Sequence, residues 1–379
     1  MNFELDAQHL LLEKVFREFS DREIKPMAKE TDELERFPRE NVEKIKALKL
    51  FGIPFDKQFG GSGSDTLAYI LAVEQLSRNC ATTGVILSAH TSLGTSPIAE
   101  FGTLQQKEKY LPDLTSGRKL AAFGLTESNA GTDASGQQTI VVDEGDHYSL
   151  NGSKIFITNA GEADVYIIFA MSDRSKATKG ISAFIVEKDT PGFSFGKHEE
   201  KMGIRGSATR ELIFDHVRLP KENLLGKEGE GFRIAMKTLD GGRIGIAAQA
   251  LGIAQGALEE SVAYVKERKQ FNKPISAFQN TQFTIADMKT RIDAARLLVY
   301  RAAILKDQKK NYSVEAAMAK LYASETAMFV ADKAIQLLGG YGYTRDYPVE
   351  RMLRDAKITE IYEGTSEVQR MVIGGAVLR

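Results

Sequence analysis

Residues 138–171 read QTIVVDEGDHYSLNGSKIFITNAGEADVYIIFAM, and this stretch decides the fold. It contains four short β-prone runs, which are 138–142, 147–150, 154–158 and 164–171. Three more runs of this kind surround it, at 121–126, 180–187 and 209–219. Many short strands separated by Gly, Asn, Asp and Pro are typical of an antiparallel sandwich or barrel. We therefore expect a middle β-domain over residues 121–228.

On both sides of this region the apolar spacing is helical. In the N-terminal part, apolar residues recur three to four positions apart, at Leu11, Leu12, Val15, Phe16 and Phe19. After the β-prone region, long segments keep the helical period, and these are about 229–268, 280–308 and 313–338. Such spacing predicts amphipathic helices, and long helices with few loops favour an antiparallel bundle. We expect an all-α domain over 1–120 and a helical bundle over 229–379, and hence the α+β class, because strands and helices do not alternate.

Capping residues predict where two helices begin or end. Thr103 and Gln106 have the spacing of a capping box at a helix start. A helix through residues 42–48 is expected to end at Gly52, because glycine suits a left-handed cap.

Composition excludes several classes of protein. Among 379 residues there are 50 Lys and Arg against 51 Asp and Glu, a net charge of -1, so no broad positive field for nucleic acid is present. The single cysteine, Cys80, excludes an internal disulfide. No apolar run approaches the roughly 20 residues that span a bilayer, so membrane insertion is not expected. The acidic N-terminal segment MNFELDAQHL lacks the features of an export signal, which predicts a soluble, cytoplasmic protein.

Familiar cofactor and nucleophile motifs are absent from the sequence. No GxGxxG follows a predicted strand, and GxxxxGKS/T, HExxH and GxSxG do not occur. The five histidines are scattered without ligand-like spacing, so no metal site is predicted.

Two segments carry candidate chemistry. Residues 123–133, FGLTESNAGTD, lead from a predicted strand into a loop rich in small hydroxyl and amide groups. Such a loop suits a flat or anionic ligand, but the spacing alone favours a surface turn. In residues 361–367, IYEGTSE, Glu363 precedes a glycine and Thr365 can cap the closing helix. Taken alone, the segment favours an ordinary exposed acid at Glu363, near a helix start where the dipole favours negative charge.

Read together, seven ordered stretches resemble the acyl-CoA dehydrogenase family over essentially the whole chain, most of all its bacterial short-chain (butyryl-CoA) members and the related enoyl-CoA reductases. The stretches are FGLTESNAGTDASG (123–136), NGSKIFITNAG (151–161), KMGIRGSAT (201–209), LDGGRIGIAAQALG (239–252), ERKQF (267–271), LGGYGYTRDYPVERMLRD (338–355) and IYEGTSEVQR (361–370). The resemblance implies an N-terminal helical domain, a middle β-domain and a C-terminal four-helix bundle.

The resemblance also implies the chemistry. Glu363 matches the catalytic glutamate, which removes the α-proton of an acyl-CoA thioester while the β-hydrogen leaves as hydride to FAD. The thioester carbonyl accepts a hydrogen bond from the backbone N–H at this position, an oxyanion-hole arrangement. Burial against flavin and acyl chain is expected to raise the pKa of the carboxyl towards working pH.

The positions implied to bind FAD fall into three groups. In the middle domain they are Phe123, Leu125, Thr126, Gly131, Thr132, Phe156, Ile157 and Thr158. Positions implied to reach FAD of a neighbouring subunit are Arg268, Gln279, Gln336, Gly339 and Gly340. The remaining positions are Phe271, Thr365 and Glu367. Of these, Thr365 and Glu367 are implied to lie towards the adenine end of FAD. Two of these residues depart from the family, since many relatives have Trp at the position of Phe156 and Gln at that of Glu367. A cofactor site shared between subunits implies a homo-oligomer, usually a tetramer.

The resemblance implies a smaller set of substrate-binding positions. They are Thr132, Leu239, Asp240, Arg243, Tyr362 and Gly364. Some relatives place their base immediately before the arginine matched by Arg243. Here that residue is Gly242, which has no side chain, and this strengthens the assignment of Glu363.

The resemblance predicts a short-chain acyl-CoA dehydrogenase of fatty acid metabolism that passes electrons to an electron-transferring flavoprotein. An alternative is an enoyl-CoA reductase for crotonyl-, acryloyl- or caffeyl-type thioesters in an electron-bifurcating complex. An acyl-CoA oxidase is less favoured, because oxidases usually carry an extra C-terminal domain. A non-catalytic flavin- or nucleic-acid-binding relative is opposed by Glu363 and by the near-zero charge.

Overall fold

The computed structural model describes residues 4–378, so residues 1–3 of the predicted first domain and N-terminal segment, and Arg379, lie outside the described residues. Helices bracket a central sheet in the order helices, strands, helices. This order confirms the predicted α+β class. The predicted domain boundaries stay predictions; the first strand begins at Ala121 and the first long helix after the sheet begins at Gly231.

Within residues 4–378, seven α-helices precede the sheet. They are α1 Ala7–Phe19, α2 Ala28–Glu33, α3 Arg39–Ala47, α4 Thr66–Asn79, α5 Ala81–Ser88, α6 Ser96–Phe101 and α7 Leu104–Ser116. The capping box at the start of α7 is confirmed, since Thr103 Oγ1 accepts from Gln106 N and Gln106 Oε1 accepts from Thr103 N. A π-helical turn, Ala89–Thr95, connects α5 to α6.

The predicted cap at Gly52 is wrong. Helix α3 already ends at Ala47, and the left-handed residue that follows it is Lys49, with φ +56°. Gly52 serves close packing instead, because a Cβ at this position would lie 2.8 Å from the Thr115 carbonyl oxygen. Gly52 is therefore required for its small size beside Thr115, and not for a left-handed helix cap.

The sheet is mostly antiparallel. Its strands are β1 Ala121–Gly124, β2 Ile140–Asp143, β3 His147–Thr158, β4 Val165–Met171, β5 Ile181–Glu187, β6 Phe193–His198, β7 Thr209–Pro220 and β8 Leu224–Leu225. The order is β6-β7-β3-β2-β4-β5-β8, with β1 paired to β4 in parallel. All seven residues of β4 are buried, because one face packs on α7 and the start of the next helix and the other faces the main core.

The rest of the chain is a helical bundle with a small hairpin. Its elements are α8 Gly231–Glu267, β9 Lys269–Gln270, β10 Lys273–Pro274, α9 Gln279–Asp307, α10 Ser313–Leu338, α11 Gly340–Tyr343, α12 Val349–Thr359 and α13 Ser366–Val377. Helix α8 packs on α4 at backbone distance. A Cβ at Gly252 would lie 2.3 Å from the Glu74 carbonyl oxygen, and one at Gly256 would lie 2.1 Å from that of Arg78. These contacts fix α8, whose first half carries part of the candidate site.

None of the helices within residues 4–378 combines the length and the apolar character needed to cross a bilayer.

Candidate active site

Glu363 lies in the short turn between α12 and α13, on an unusual backbone. Its φ is +54°, and that of Gly364 is +93°. A non-glycine residue with positive φ is strained and needs support from its surroundings. The support comes from Gln369, whose Nε2 donates to the carbonyl oxygens of Glu363 at 3.3 Å and Gly364 at 2.8 Å, and from Thr365, which caps α13.

The Glu363 carboxylate packs directly on Gly242 of α8. A Cβ at Gly242 would lie 2.0 Å from Glu363 Oε2 and 2.8 Å from Leu93 Cδ2 in the π-helical turn. No real side chain tolerates a separation of 2.0 Å, so the glycine is needed for the carboxylate to occupy this place. Some relatives place their base at the position of Gly242. The structure gives a spatial reason for the glycine here, because a side chain at residue 242 and the Glu363 carboxylate would occupy the same volume.

The carboxylate is poorly solvated. Glu363 Oε2 is buried and has no hydrogen-bond partner within residues 4–378. Burial raises the pKa of Glu363 to about 8, against the opposing positive charges of Lys320 and Arg243. A carboxyl whose pKa lies near working pH can both accept and return a proton, as a general base requires.

Arg243 is held by an acidic partner one turn away on α8. Its Nη1 donates to Asp240 Oδ1 at 2.7 Å, and the same oxygen accepts from Ser313 Oγ at 3.0 Å. The arginine side chain is almost fully buried, and its Nε has no partner among the described residues. Leu239, the neighbouring predicted substrate residue, is half-buried on the same helix.

Tyr362 ties the same turn to the helices behind it. Its hydroxyl hydrogen-bonds Gln249 Oε1, and Gln249 Nε2 donates to the Ala81 carbonyl oxygen at 3.0 Å. Burial raises the pKa of Tyr362 well above its usual value, so the phenol stays neutral. The turn that carries Glu363 is therefore fixed to α8 and α5 on this side.

The predicted loop after β1 is anchored by a buried ion pair that sequence reasoning missed. Lys154 Nζ donates to Glu127 Oε1 at 2.6 Å and to Gln137 Oε1 at 2.9 Å. Glu127 also accepts from the backbone N–H groups of Gln138 at 2.5 Å and Thr139 at 3.1 Å. The sequence feature that could have revealed this ion pair is the lysine in the apolar run KIFIT. A lysine side chain that faces the core needs an anion as its partner.

An exposed aromatic ring projects beside this loop. Phe156 is 62% exposed, has φ +58° and sits in the irregular part of the β3–β7 pairing. Thr126 and Thr158 are half-buried nearby, and the Ile155 N–H donates to the Thr126 carbonyl oxygen at 2.9 Å. Strained backbone that exposes a large apolar ring indicates a surface that a flat ligand covers.

The other residues of this region that are predicted to bind FAD differ in how exposed their side chains are. Leu125 and Ile157 have side chains in the core, so only their backbone atoms can face a ligand. Phe123 is half-buried with its ring centroid 4.9 Å from that of Phe169. Gly131 and Thr132 are exposed in the loop.

A second predicted group lies far from Glu363. Arg268, Phe271, Gln279, Gln336, Gly339 and Gly340 are all exposed, where α8 and α10 end and α9 begins. From Gly242 to Arg268 there are 268 − 242 = 26 residues, or about 39 Å at 1.5 Å per residue. The structure therefore does not bring this group to Glu363 within one protomer.

This distant end forms a cleft of about 500 Å³. Its lining includes Arg268, Gly339, Gly340 and Tyr341. The Arg268 guanidinium lies 5.8 Å from the Tyr341 ring centroid and makes no ion pair with any residue in 4–378. An arginine without an anionic partner, beside two glycines that leave open space, suits a phosphate group.

Thr365 and Glu367 lie at a separate cleft of about 520 Å³ at the N-terminus of α13. Glu367 is exposed, whereas Ser366 between them is buried and its Oγ has no partner within 4–378. Gln369 Oε1, one turn further, is also without a partner there.

Several buried polar atoms without a partner within residues 4–378 lie on α8 or in and just after the Glu363 turn, and they include Arg243 Nε, Glu363 Oε2, Ser366 Oγ and Gln369 Oε1. Buried polar atoms without partners are costly and rare in native proteins. The Glu363 N–H likewise has no acceptor within residues 4–378. Together with the exposed Phe156 ring, these atoms fit a bound ligand that has a flat ring system and several polar groups.

Comparisons with known proteins find one family along the chain. Three family models match in order: the acyl-CoA dehydrogenase N-terminal domain over residues 6–118, the middle domain over 122–217 and the C-terminal domain over 229–378. The chain is 61% identical, over all of both chains, to a short-chain specific acyl-CoA dehydrogenase of Clostridium acetobutylicum.

Two solved structures match over all of both chains. Butyryl-CoA dehydrogenase from Megasphaera elsdenii has a TM-score of 0.98 and 54% identity. A structure described as the electron transferring flavoprotein of Acidaminococcus fermentans, towards a mechanism of flavin-based electron bifurcation, has a TM-score of 0.99 and 56% identity. With all three domain models matched and these identities, the chain belongs to the acyl-CoA dehydrogenase family.

Proposed function

We propose that this enzyme oxidises a short-chain acyl-CoA to its 2-enoyl-CoA, with Glu363 as the base for the α-proton. The observation that carries this proposal is the buried, unpartnered Glu363 carboxylate against Gly242, with its pKa raised to about 8. The short acyl chain is supported by the short-chain specific relative of Clostridium acetobutylicum and by the butyryl-CoA dehydrogenase structure.

The family cofactor is FAD, which supplies the hydride acceptor when it is bound. Phe156 offers an aromatic face and Thr126 and Thr158 offer hydroxyl groups to its ring system. Thr365 and Glu367 stand at the cleft that suits its other end.

Two groups of this chain would act directly in the reaction, the Glu363 carboxylate and the Glu363 backbone N–H. The carboxylate takes the α-proton, and the negative charge that develops on the thioester oxygen needs a donor. The Glu363 N–H, which has no acceptor within residues 4–378, is available for that oxygen. Asp240 and Arg243 lie on the adjacent face of α8, where they would border the substrate.

A homo-oligomer completes the cofactor site in this proposal. Arg268, which has no ion-pair partner within residues 4–378, lies about 39 Å along α8 from Gly242. Arg268 and the open glycines beside it at the end of α10 would therefore serve FAD bound by a neighbouring subunit. A tetramer is the arrangement that the family resemblance implies. We also propose a reducing, cytoplasmic setting, which is supported by a single, buried cysteine, Cys80.

The proposed redox partner is an electron-transferring flavoprotein, the protein that the description of the structural neighbour from Acidaminococcus fermentans names. The alternative direction is reduction of an enoyl-CoA such as crotonyl- or acryloyl-CoA. One carboxyl serves both directions, because the proton it removes in oxidation is the proton it returns in reduction.

The two directions should depend on pH in opposite ways. Because the pKa of Glu363 is raised to about 8, the base is ionised only at high pH, and kcat/KM for butyryl-CoA oxidation should rise between pH 6 and pH 9. Reduction of crotonyl-CoA by the reduced enzyme needs the protonated form and should fall over the same range. Stopped-flow measurement of both half-reactions checks this. Two profiles that change in the same direction would contradict a shared carboxyl.

Removal of Arg268 should weaken flavin retention. Arg268→Ala deletes a cation that has no ion-pair partner within residues 4–378 and that stands in the distant cleft. We expect the ratio of flavin absorbance to protein to fall several-fold after gel filtration. Lys269→Ala, which removes the adjacent exposed cation, is the matched control and should keep its flavin. Full occupancy in Arg268→Ala would exclude the proposed role.

A further inference from the structure

We propose that Lys320 is a positioning residue for this reaction: its buried ammonium group supplies a positive charge that favours the ionised form of Glu363, while it ties the catalytic turn to α10. The inference rests on the proposed function of Glu363. Lys320 lies in the first half of α10, outside the predicted site.

The geometry places the ammonium group directly behind the turn. Lys320 is fully buried, and its Nζ donates to the Gly364 carbonyl oxygen at 2.7 Å. Gln369 Nε2 donates to the same oxygen at 2.8 Å. The carbonyl thus already has a neutral donor, so a hydrogen bond alone does not account for a buried lysine.

A charge in this position is expensive to bury. Among residues 4–378, no carboxylate lies within ion-pair distance of Lys320, and its one side-chain hydrogen bond goes to a neutral carbonyl. Burying an ammonium group without a counterion is strongly unfavourable, because the charge loses its hydration. Burial accordingly lowers the pKa of Lys320 to about 8, and the nearby Glu363 is the main opposing influence.

The other charges around the turn do not replace it. Arg243, on α8, is the second cation that faces Glu363, but Asp240 neutralises it at 2.7 Å. Glu360 before the turn and Glu367 on α13 act on Lys320 more weakly than Glu363 does. Tyr362 and Tyr69 also face Glu363, and burial keeps both phenols neutral.

Lys320 therefore opposes the effect of burial on the base. Burial favours the neutral carboxyl, and a nearby positive charge favours the ionised form. Without Lys320 the pKa of Glu363 should be higher still, and less of the enzyme would hold an active base at neutral pH. This is a role in setting the protonation state of Glu363, and it involves no contact with substrate.

The test compares two neutral variants of Lys320 in the flavin-loaded enzyme with a control. Lys320→Met removes the charge and the donor, Lys320→Gln removes the charge and keeps a donor, and Lys333→Met removes the charge of another lysine on α10, which pairs with Asp332 at 3.0 Å. We expect the rising limb of kcat/KM for butyryl-CoA to move up by about one pH unit or more in both Lys320 variants. The rate should fall about tenfold at pH 7 and recover at high pH, with kcat changing more than KM. Lys333→Met should keep the wild-type midpoint.

Either Lys320 variant suffices, so failure of one to fold leaves the other to decide. An unshifted midpoint in the folded variant, or an equal shift in Lys333→Met, would overturn the proposal. If the flavin-loaded wild type oxidised no acyl-CoA at all, the proposed function would fail first, which is a distinguishable result.

Discussion

Glu363→Gln is expected to fold and keep its flavin but to lose acyl-CoA oxidation by roughly 10²–10⁴-fold or more, the usual scale for a positioned general base. The amide has the shape of the carboxyl group but cannot take a proton. The surroundings favour a neutral group here, because burial already raises the pKa of Glu363 to about 8. Single-turnover kinetics with butyryl-CoA measures the loss.

The stability of this variant gives an independent check. A carboxyl whose folded pKa lies above its unfolded value loses stabilising effect as pH rises towards the folded pKa, here from about 4.5 to about 8. Glu363→Gln should therefore have a Tm equal to or above that of wild type at pH 8 to 9. Glu360→Gln, in which the carboxylate that pairs with Lys357 is changed, is the matched control and should keep its activity. Unchanged turnover in Glu363→Gln would remove Glu363 from the mechanism.

Gly242→Ala should abolish most of the activity without touching an ionisable group. The new methyl group would lie 2.0 Å from Glu363 Oε2 and 2.8 Å from Leu93 Cδ2, so the carboxylate must move. A displacement of about 1 Å at a reacting group can cost on the order of 10²-fold. We expect a fall in kcat of that size, measured with butyryl-CoA at saturating concentration.

Gly241→Ala is the control for this substitution. Its methyl group would meet only the end of a flexible side chain, Lys306 Nζ at 3.1 Å, and Tyr312 Oη at 3.9 Å. Both substitutions raise helix propensity in α8 by a similar amount, about 1 kcal/mol. Similar activities in the two variants would show that the Gly242 contact does not position the base.

Much of the fold follows from the sequence because it depends on local periodicity. The predicted helices at 280–308 and 313–338 correspond to α9 Gln279–Asp307 and α10 Ser313–Leu338. The capping box of α7 could also be predicted, since both partners lie within one turn. The role of Gly52 could not be predicted, because it depends on Thr115, which is distant in the sequence.

The site was only partly predictable for the same reason. The predicted importance of Glu363 came from a motif, whereas its contact with Gly242 and the nearby charge of Lys320 arise from the packing of α8 and α10 around the turn. The Lys154–Glu127 pair joins residues 27 positions apart. Neither spacing nor composition gives such contacts. The roles of the predicted cofactor and substrate residues stay predictions until variants are measured.

The most direct test is the visible spectrum of the purified enzyme, titrated with butyryl-CoA in the absence of oxygen. We expect a bound FAD whose band bleaches in the wild type within the mixing time of a manual titration and stays unbleached on that scale in Glu363→Gln. A protein without flavin even after reconstitution, or a Glu363→Gln variant that bleaches as fast as the wild type, would contradict it.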